Sequence, residues 1–349
     1  MFKTISYKCL LAGVLSWCLL QSTAQSRQAV ITVQPDAAQR KVVITADGKP
    51  FTSFVYTDTI EKPVLYPIYA GNGQTITRGF PWKPEPNDPT DHPHHLGLWF
   101  NYERVNGLDF WNNSFAIPAE KKVHYGWIKT NEVVSTESGK QGKLVYTARW
   151  VNQQQDVLLN EKTTYLFSQE NNERIIDRIT ELTAVQDVAF PDSKDGLLGL
   201  RVAHELELPI TQTKEYKDAQ GNITKVSATK DATVTGNYLT SAGKEGDAAW
   251  ATRGEWCMLY GKKGNDTISI VIMDHPGNPG YPTYWHARNY GLFAANPLGQ
   301  KVFSEGKENL NFRLRKGQTT TFRYRIVIAA EKTRLAQPAI EQLRRSFIK

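Results

Sequence analysis

The sequence predicts an all-β protein, a large antiparallel β-sandwich with a short C-terminal helix. First, polar and apolar residues alternate over Lys41-Val42-Val43-Ile44-Thr45, over 143–150 and over 319–328, the period-two pattern of strands with one buried face. Second, turn chemistry at Ala46-Asp47-Gly48-Lys49, Glu137-Ser138-Gly139-Lys140, Lys263-Gly264-Asn265-Asp266 and Arg315-Lys316-Gly317-Gln318 separates these runs, as in hairpins. Third, helix signals are few. The best is 338–347, where Pro338 stands near the start and Ile340, Leu343 and Phe347 recur at helical spacing, so this segment is expected to pack across one sheet.

No repeat, low-complexity linker or composition break divides the chain, so residues 25–349 are expected to form a single sandwich domain. Residues 1–24 read as a signal peptide: Lys3 and Lys8 precede an apolar run from Cys9 to Leu20, and Ser22-Thr23-Ala24 offers a small-residue cleavage site. The protein is therefore expected to be exported, periplasmic or extracellular, with no membrane insertion after cleavage. Of the three cysteines, only Cys257 lies beyond that segment, which leaves no internal disulfide to form. The formal charge is +7, but Lys and Arg are scattered among acids with no basic run, which argues against nucleic-acid binding. No nucleophile elbow, phosphate-binding loop, dinucleotide fingerprint or paired Cys-x-x-Cys is present.

The histidines carry the functional signal. Five of the seven fall in two aromatic-rich segments. One is Asp91-His92-Pro93-His94-His95-Leu96-Gly97-Leu98-Trp99; the other runs from Asp274-His275-Pro276 through Asn278 to Trp285-His286-Ala287-Arg288. Imidazole is the natural proton carrier near neutral pH, and Trp beside His, Asp and Arg suits a ligand with apolar faces and hydroxyl edges, such as a sugar. The two segments are expected to build one polar pocket. Its catalytic candidates are His94, His95, His275, His286, Asp91 and Asp274. Its substrate-binding candidates are Arg78, Trp99, Trp111, Lys194, Arg201, Asn278, Trp285 and Arg288. Extended geometry after Pro93 sends His94 and His95 to opposite faces. A strand over 197–206 would likewise separate Arg201 from His204, and the flanking Pro282 and Asn289 predict a loop around Tyr284 and Trp285. The imidazoles also offer enough ligands for a divalent metal ion, although no defined metal spacing is present.

The stretches Arg78-Gly79-Phe80-Pro81, Asp91-His92-Pro93-His94-His95, Gly97-Leu98-Trp99, Asp109-Phe110-Trp111, Asp192-Ser193-Lys194-Asp195-Gly196, Gly199-Leu200-Arg201-Val202 and Asp274-His275-Pro276 through Trp285 to Phe293 resemble a bacterial family of unknown function often labelled methane oxygenase PmoA-like. The resemblance covers most of the chain beyond the signal segment. A methane-oxidising role conflicts with a β-rich sequence that lacks any spanning segment. What the resemblance implies for the fold is a supersandwich similar to galactose mutarotases, whose histidines act as acid and base at a sugar's anomeric centre. The aldose-epimerase motifs themselves are not matched, so no catalytic glutamate carries over.

The expected function is an exported carbohydrate-processing enzyme, an epimerase, lyase or glycoside hydrolase, using histidine acid/base chemistry on a saccharide or keto-sugar. Arg78 and Lys194 would steady developing negative charge. The alternatives are a non-catalytic glycan-binding sandwich and a metal-dependent oxidoreductase or lyase.

Overall fold

Val42, Ile44 and Ala46 are buried while their neighbours along Lys41–Ala46 are half-buried, the alternation that a strand over one apolar core requires. The same logic repeated along the chain gives two large sheets. The computed structural model describes residues 28–210, 212–217, 223–226, 228 and 231–349; the predicted signal segment lies outside the described residues.

The front sheet has eight strands. In spatial order they are Ile31–Asp36, Lys41–Ala46, Lys49–Val55, Val64–Ile68, Leu98–Tyr102, Gly196–Arg201, Leu292–Asn296 and Tyr284–Ala287, all antiparallel to their neighbours. The back sheet also has eight: Asn237–Thr240, Trp256–Lys263, Asp266–Asp274, Thr319–Glu331, Glu173–Ala184, Val157–Glu170, Gly142–Val151 and Trp127–Glu137, again antiparallel throughout. Leu98, Phe100, Leu198, Leu200, Trp285 and Phe293 of the front sheet meet Tyr146, Trp150, Tyr165, Ile176, Ile270 and Ile326 of the back sheet in one continuous core. The fold is the antiparallel sandwich that the alternation predicts.

The helix Gln337–Phe347 lies where expected. Its Ile340 is buried with Trp256, Met258, Val271, Met273 and Val327 on the outer face of the back sheet, so it seals that face from water. Among the described residues, no helix is long and apolar enough to cross a membrane.

Two local expectations are corrected. The strand through Arg201 ends there, and His204–Leu206 form a 3-10 turn. The segment containing Tyr284 and Trp285, expected as a loop between Pro282 and Asn289, is the edge strand Tyr284–Ala287. Pro282 ends the preceding loop rather than extending it.

The outer face of the front sheet has its own apolar cluster, in which Trp99, Trp111, Leu96, Tyr66, Tyr290, Leu292 and Ala294 are buried. No helix covers it. The long irregular segment between the strands Val64–Ile68 and Leu98–Tyr102 and the loop after Tyr102 fold over it instead, as binding loops on a rigid sheet do.

Gly97 joins the histidine segment to the strand Leu98–Tyr102. It has φ +59°, and a Cβ there would lie 2.2 Å from the Leu65 carbonyl oxygen. Gly97→Ala combines left-handed backbone strain with a backbone clash and is expected to cost about 2–4 kcal/mol in urea unfolding. A loss below about 0.5 kcal/mol would contradict this packing.

Candidate functional site

Register places Trp99, Gly199, Ala294 and His286 side by side across four adjacent strands of the front sheet. Since Trp285 faces the sandwich core, alternation sends His286 to the outer face. Gly199 leaves room on that platform. A Cβ there would lie 2.5 Å from the Trp99 indole and 2.8 Å from that of Trp111, so both indoles rest on the sheet backbone, with their ring centroids 5.1 Å apart.

Above this floor sits the histidine loop. Arg78, only 1% exposed, holds it from beneath: Nη1 donates to the carbonyl oxygens of Pro89 and Asp91 and to Asp91 Oδ1, and Nη2 to those of His92 and His95 at 3.0 and 3.1 Å. The His95 amide donates to the His92 carbonyl at 2.9 Å, closing a tight turn in which His92 adopts φ +43°. Asp91 Oδ1 is shared by Arg78 at 3.0 Å, Arg201 at 2.8 Å and His92 Nδ1 at 3.1 Å. Burial alone would raise the pKa of Asp91, but Arg201, His92 and Arg78 together hold it far below the usual carboxylate range.

This scaffold arranges four rings in a near-parallel column. Tyr290 and His92 are 4.7 Å apart, His92 and His95 4.7 Å, and His95 and Trp99 5.2 Å, with interplanar angles of 6°, 4° and 18°. His94 meets the column edge-on, 4.2 Å from His95. The Arg201 guanidinium lies 3.5 Å from His95 Nδ1. A guanidinium can only donate, so Nδ1 accepts and the neutral ring carries its proton on Nε2. That Nε2, His94 Nε2 and Trp99 Nε1 are buried without a hydrogen-bond partner among the described residues. Such atoms are costly unless something pairs with them.

Burial, reinforced by neighbouring imidazoles and cations, pushes His94, His95 and His286 well below the ordinary histidine value. All three are neutral at neutral pH. Lys62 is 4% exposed; its Nζ donates to the His94 carbonyl at 2.9 Å and lies 5.6 Å from the Trp99 ring centroid. Burial lowers its pKa to about 8, partly offset by Glu61 and Asp109. The far side of the site carries Asp195, whose Oδ2 accepts from Lys194 Nζ at 2.7 Å and whose Oδ1 lies 3.6 Å from His286 Nδ1. Asp109 bridges the two sides electrostatically, acting on Lys62 and feeling Asp195, and burial raises its pKa to about 7. Arg288 packs over the rings of Trp250 and Tyr290.

The sequence-predicted residues divide cleanly. Asp91, His94, His95, Trp99, Trp111, Arg78, Arg201, Lys194, His286 and Arg288 come together on the front sheet. His275, Asp274 and Asn278 do not. Asp274 ends a back-sheet strand, where it accepts from Asn278 Nδ2 at 2.7 Å and from the Thr283 amide at 2.8 Å. Asn278 also exchanges hydrogen bonds with the backbone of Arg323, and the His275 ring meets Phe347 of the C-terminal helix at 5.3 Å. These three residues fasten a corner where strand, loop and helix meet. Trp285 is core, not rim, because it points toward the back sheet.

Roles within the cluster also change. Arg78 and Arg201 are occupied by the loop and by carboxylates, and Asp91 is locked as their counter-ion, so these three shape the site. His204 was expected to diverge from Arg201. Instead the chain turns after Arg201, and Glu207 bridges them, 3.3 Å from Arg201 Nη2 and 3.1 Å from His204 Nδ1. Among the described residues, no three His, Cys, Asp or Glu side chains are grouped to hold a metal ion; the clustered imidazoles stack or meet edge to face. Tyr290, Asp109 and Asp195 lie in the segments that carried the family resemblance, but Lys62 stands in no motif and only the fold brings it in.

The profile of a family of unknown function, DUF6807, matches residues 41–343. The chain belongs to this family. No methane-oxygenase label accompanies the match. No curated protein matches the sequence. In structure the chain is similar to galactose 1-epimerase from Lactobacillus acidophilus, with 8% identity and a TM-score of 0.36 over 88% of this chain and 99% of that one. It is likewise similar to a putative aldose 1-epimerase from Escherichia coli, with 9% identity and a TM-score of 0.37 over 87% of this chain and all of that one. A GH36 α-galactosidase from Geobacillus stearothermophilus gives 9% identity and a TM-score of 0.38, over 86% of this chain. The chain spans only 41% of that galactosidase's length.

Proposed function

We propose that this DUF6807 protein is an exported carbohydrate-processing enzyme that moves a proton on a sugar or keto-sugar bound over Trp99 and Trp111. The observation that carries this reading is the group of buried, unpartnered nitrogens at His94, His95 and Trp99, set beside aromatic faces and a buried ammonium. Aromatic rings beside inward polar groups suit a saccharide, which offers C–H faces and hydroxyl edges together.

The tautomers divide the labour. His94 is neutral and its buried Nε2 meets no partner among the described residues, so it serves as the base. His95 presents Nε2–H and serves as a donor to an oxygen gaining negative charge, aided by the Lys62 ammonium. Because the base is already neutral below ordinary histidine pKa values while Lys62 loses its charge near pH 8, activity is expected to hold from mildly acidic to neutral pH and to fall as pH rises through about 8.

The test follows deuterium incorporation at sugar carbons by NMR in D2O across a panel of aldoses, ketoses and keto-glycosides, with sugar binding measured in parallel by calorimetry. His94→Ala is expected to lower exchange by about 10²–10⁴-fold while binding stays within about tenfold. Exchange that survives in His94→Ala, or a wild type that binds sugars and exchanges none, would contradict the enzymatic reading; the second outcome would support a glycan-binding protein.

A further inference from the structure

Beyond base and oxyanion donors, the same sheet face holds a third kind of group. Glu103 follows the strand Leu98–Tyr102, is 1% exposed, and donates its backbone N–H to the Asp195 carbonyl at 2.9 Å, which sets the two residues side by side, near enough for the Asp195 carboxyl to act on that of Glu103. Ser193 Oγ donates to Glu103 Oε2, whereas Oε1 is buried without a partner among the described residues. Two further atoms without a hydrogen-bond partner among the described residues lie on the same face, Asn101 Oδ1 and His286 Nδ1, the latter on a side chain 3% exposed and 3.6 Å from Asp195.

Adjacent buried carboxyls cannot both ionise. The Lys194 ammonium lies on Asp195 Oδ2 at 2.7 Å, and no cation pairs with the Glu103 carboxyl among the described residues, so Glu103 keeps the proton. Burial first and Asp195 second raise Glu103 to about 8. With Oε2 taken by the serine hydroxyl, that proton belongs on Oε1, the free oxygen.

Resting on the proposed function, we infer that Glu103 is the general acid of this site, which makes the reaction an elimination from a glycoside whose sugar ring bears a carbonyl or carboxyl group. A reaction that only forms and reprotonates an enolate is served by His94, His95 and Lys62. A separate neutral acid is needed when an oxygen must depart. His94 removes the proton from the carbon beside the carbonyl, and the C–H electron pair becomes a C=C bond. The C–O bond on the next carbon breaks, its electron pair leaves with the oxygen, and that oxygen takes the Glu103 proton. The products are an alcohol and an unsaturated sugar, with no net oxidation; His94 then returns its proton to solvent and Glu103 regains one.

The test compares methyl and p-nitrophenyl glycosides of 3-keto-hexoses, in which the aglycone oxygen sits on the carbon next to the one that loses its proton, following unsaturated product by ultraviolet absorbance and C–H exchange by NMR. An acid matters most when the leaving group is poor. Glu103→Gln and Glu103→Ala are each expected to slow elimination of the methyl glycosides by about 10²–10³-fold, to slow the p-nitrophenyl glycosides less than tenfold, and to leave C–H exchange within about threefold. Glu103→Gln keeps a neutral group of the same shape, and circular dichroism confirms its fold. Equal slowing of both leaving groups, or no slowing, overturns the role of Glu103. Exchange without elimination in the wild type overturns the reaction class while leaving the base in place. Loss of the proposed function itself is read separately, from exchange that persists in His94→Ala.

Discussion

Asp91→Ala is expected to destabilise the protein by about 3–5 kcal/mol and to abolish the activity of whatever remains folded. One carboxylate oxygen receives Arg78 at 3.0 Å and Arg201 at 2.8 Å, and both guanidiniums are essentially inaccessible. Truncating the counter-ion leaves Arg78 with no carboxylate and Arg201 with Glu207 alone, the case in which breaking an ion pair is most costly. The loop would suffer with it, because Arg78 also holds the carbonyls of His92 and His95. Asp91→Asn should recover part of the stability by keeping hydrogen-bond acceptance, but not the charge. The pH dependence has a definite sign. Because the folded pKa of Asp91 is depressed far below that of a free carboxylate, its stabilisation is present above the ordinary carboxylate range and is lost only as pH falls well below it. Denaturant melts at neutral pH measure the first effect. A loss under 1 kcal/mol would mean that the guanidiniums find other partners.

The second large effect lies in the core. Arg178 and Glu161, both within 2% exposure, are paired at 2.9 Å between the sheets. Glu161 also accepts from Tyr146, Trp150 and Thr163 at 2.7–2.8 Å, while Arg178 donates to Thr180 at 2.9 Å and to Tyr165. The network is closed, so removing one charge strands the other. Arg178→Met should cost about 3–5 kcal/mol, and the double change Arg178→Met with Glu161→Leu should regain more than half of it. Additive losses in that cycle would show that the two residues act independently.

Much of the fold is legible because alternation and turn chemistry are local properties. The strands Lys41–Ala46 and Thr319–Glu331 and the helix Gln337–Phe347 follow from residue order alone. The histidine loop is legible for a similar reason: Asp91, His94, His95 and Trp99 lie within nine residues, so one loop must place them together. His275 and Asp274 share the same composition, yet which sheet a strand joins is set by long-range pairing, and the strand Asp266–Asp274 pairs with Thr319–Glu331 rather than with the front sheet. Trp285 and His286 differ by one residue and therefore by one face; the register of a single edge strand decided which of them is core. Lys62 and Glu103 carry no local signal at all. Their chemistry comes from burial beside Trp99 and Asp195, contacts made only when distant segments close over the sheet.

The central claim is that His94 and His95 are neutral imidazoles whose nitrogens await a ligand. The most direct measurement is a pH titration of the ¹⁵N-labelled histidines by NMR, with and without a sugar that the protein binds. The structure predicts that His94, His95 and His286 remain neutral through pH 6.5 while His204, raised by its hydrogen bond to Glu207, titrates above it, and that sugar shifts the His94 and His95 resonances first. Ordinary titration of His94 and His95 near pH 6.5, with no response to any saccharide, would contradict the account.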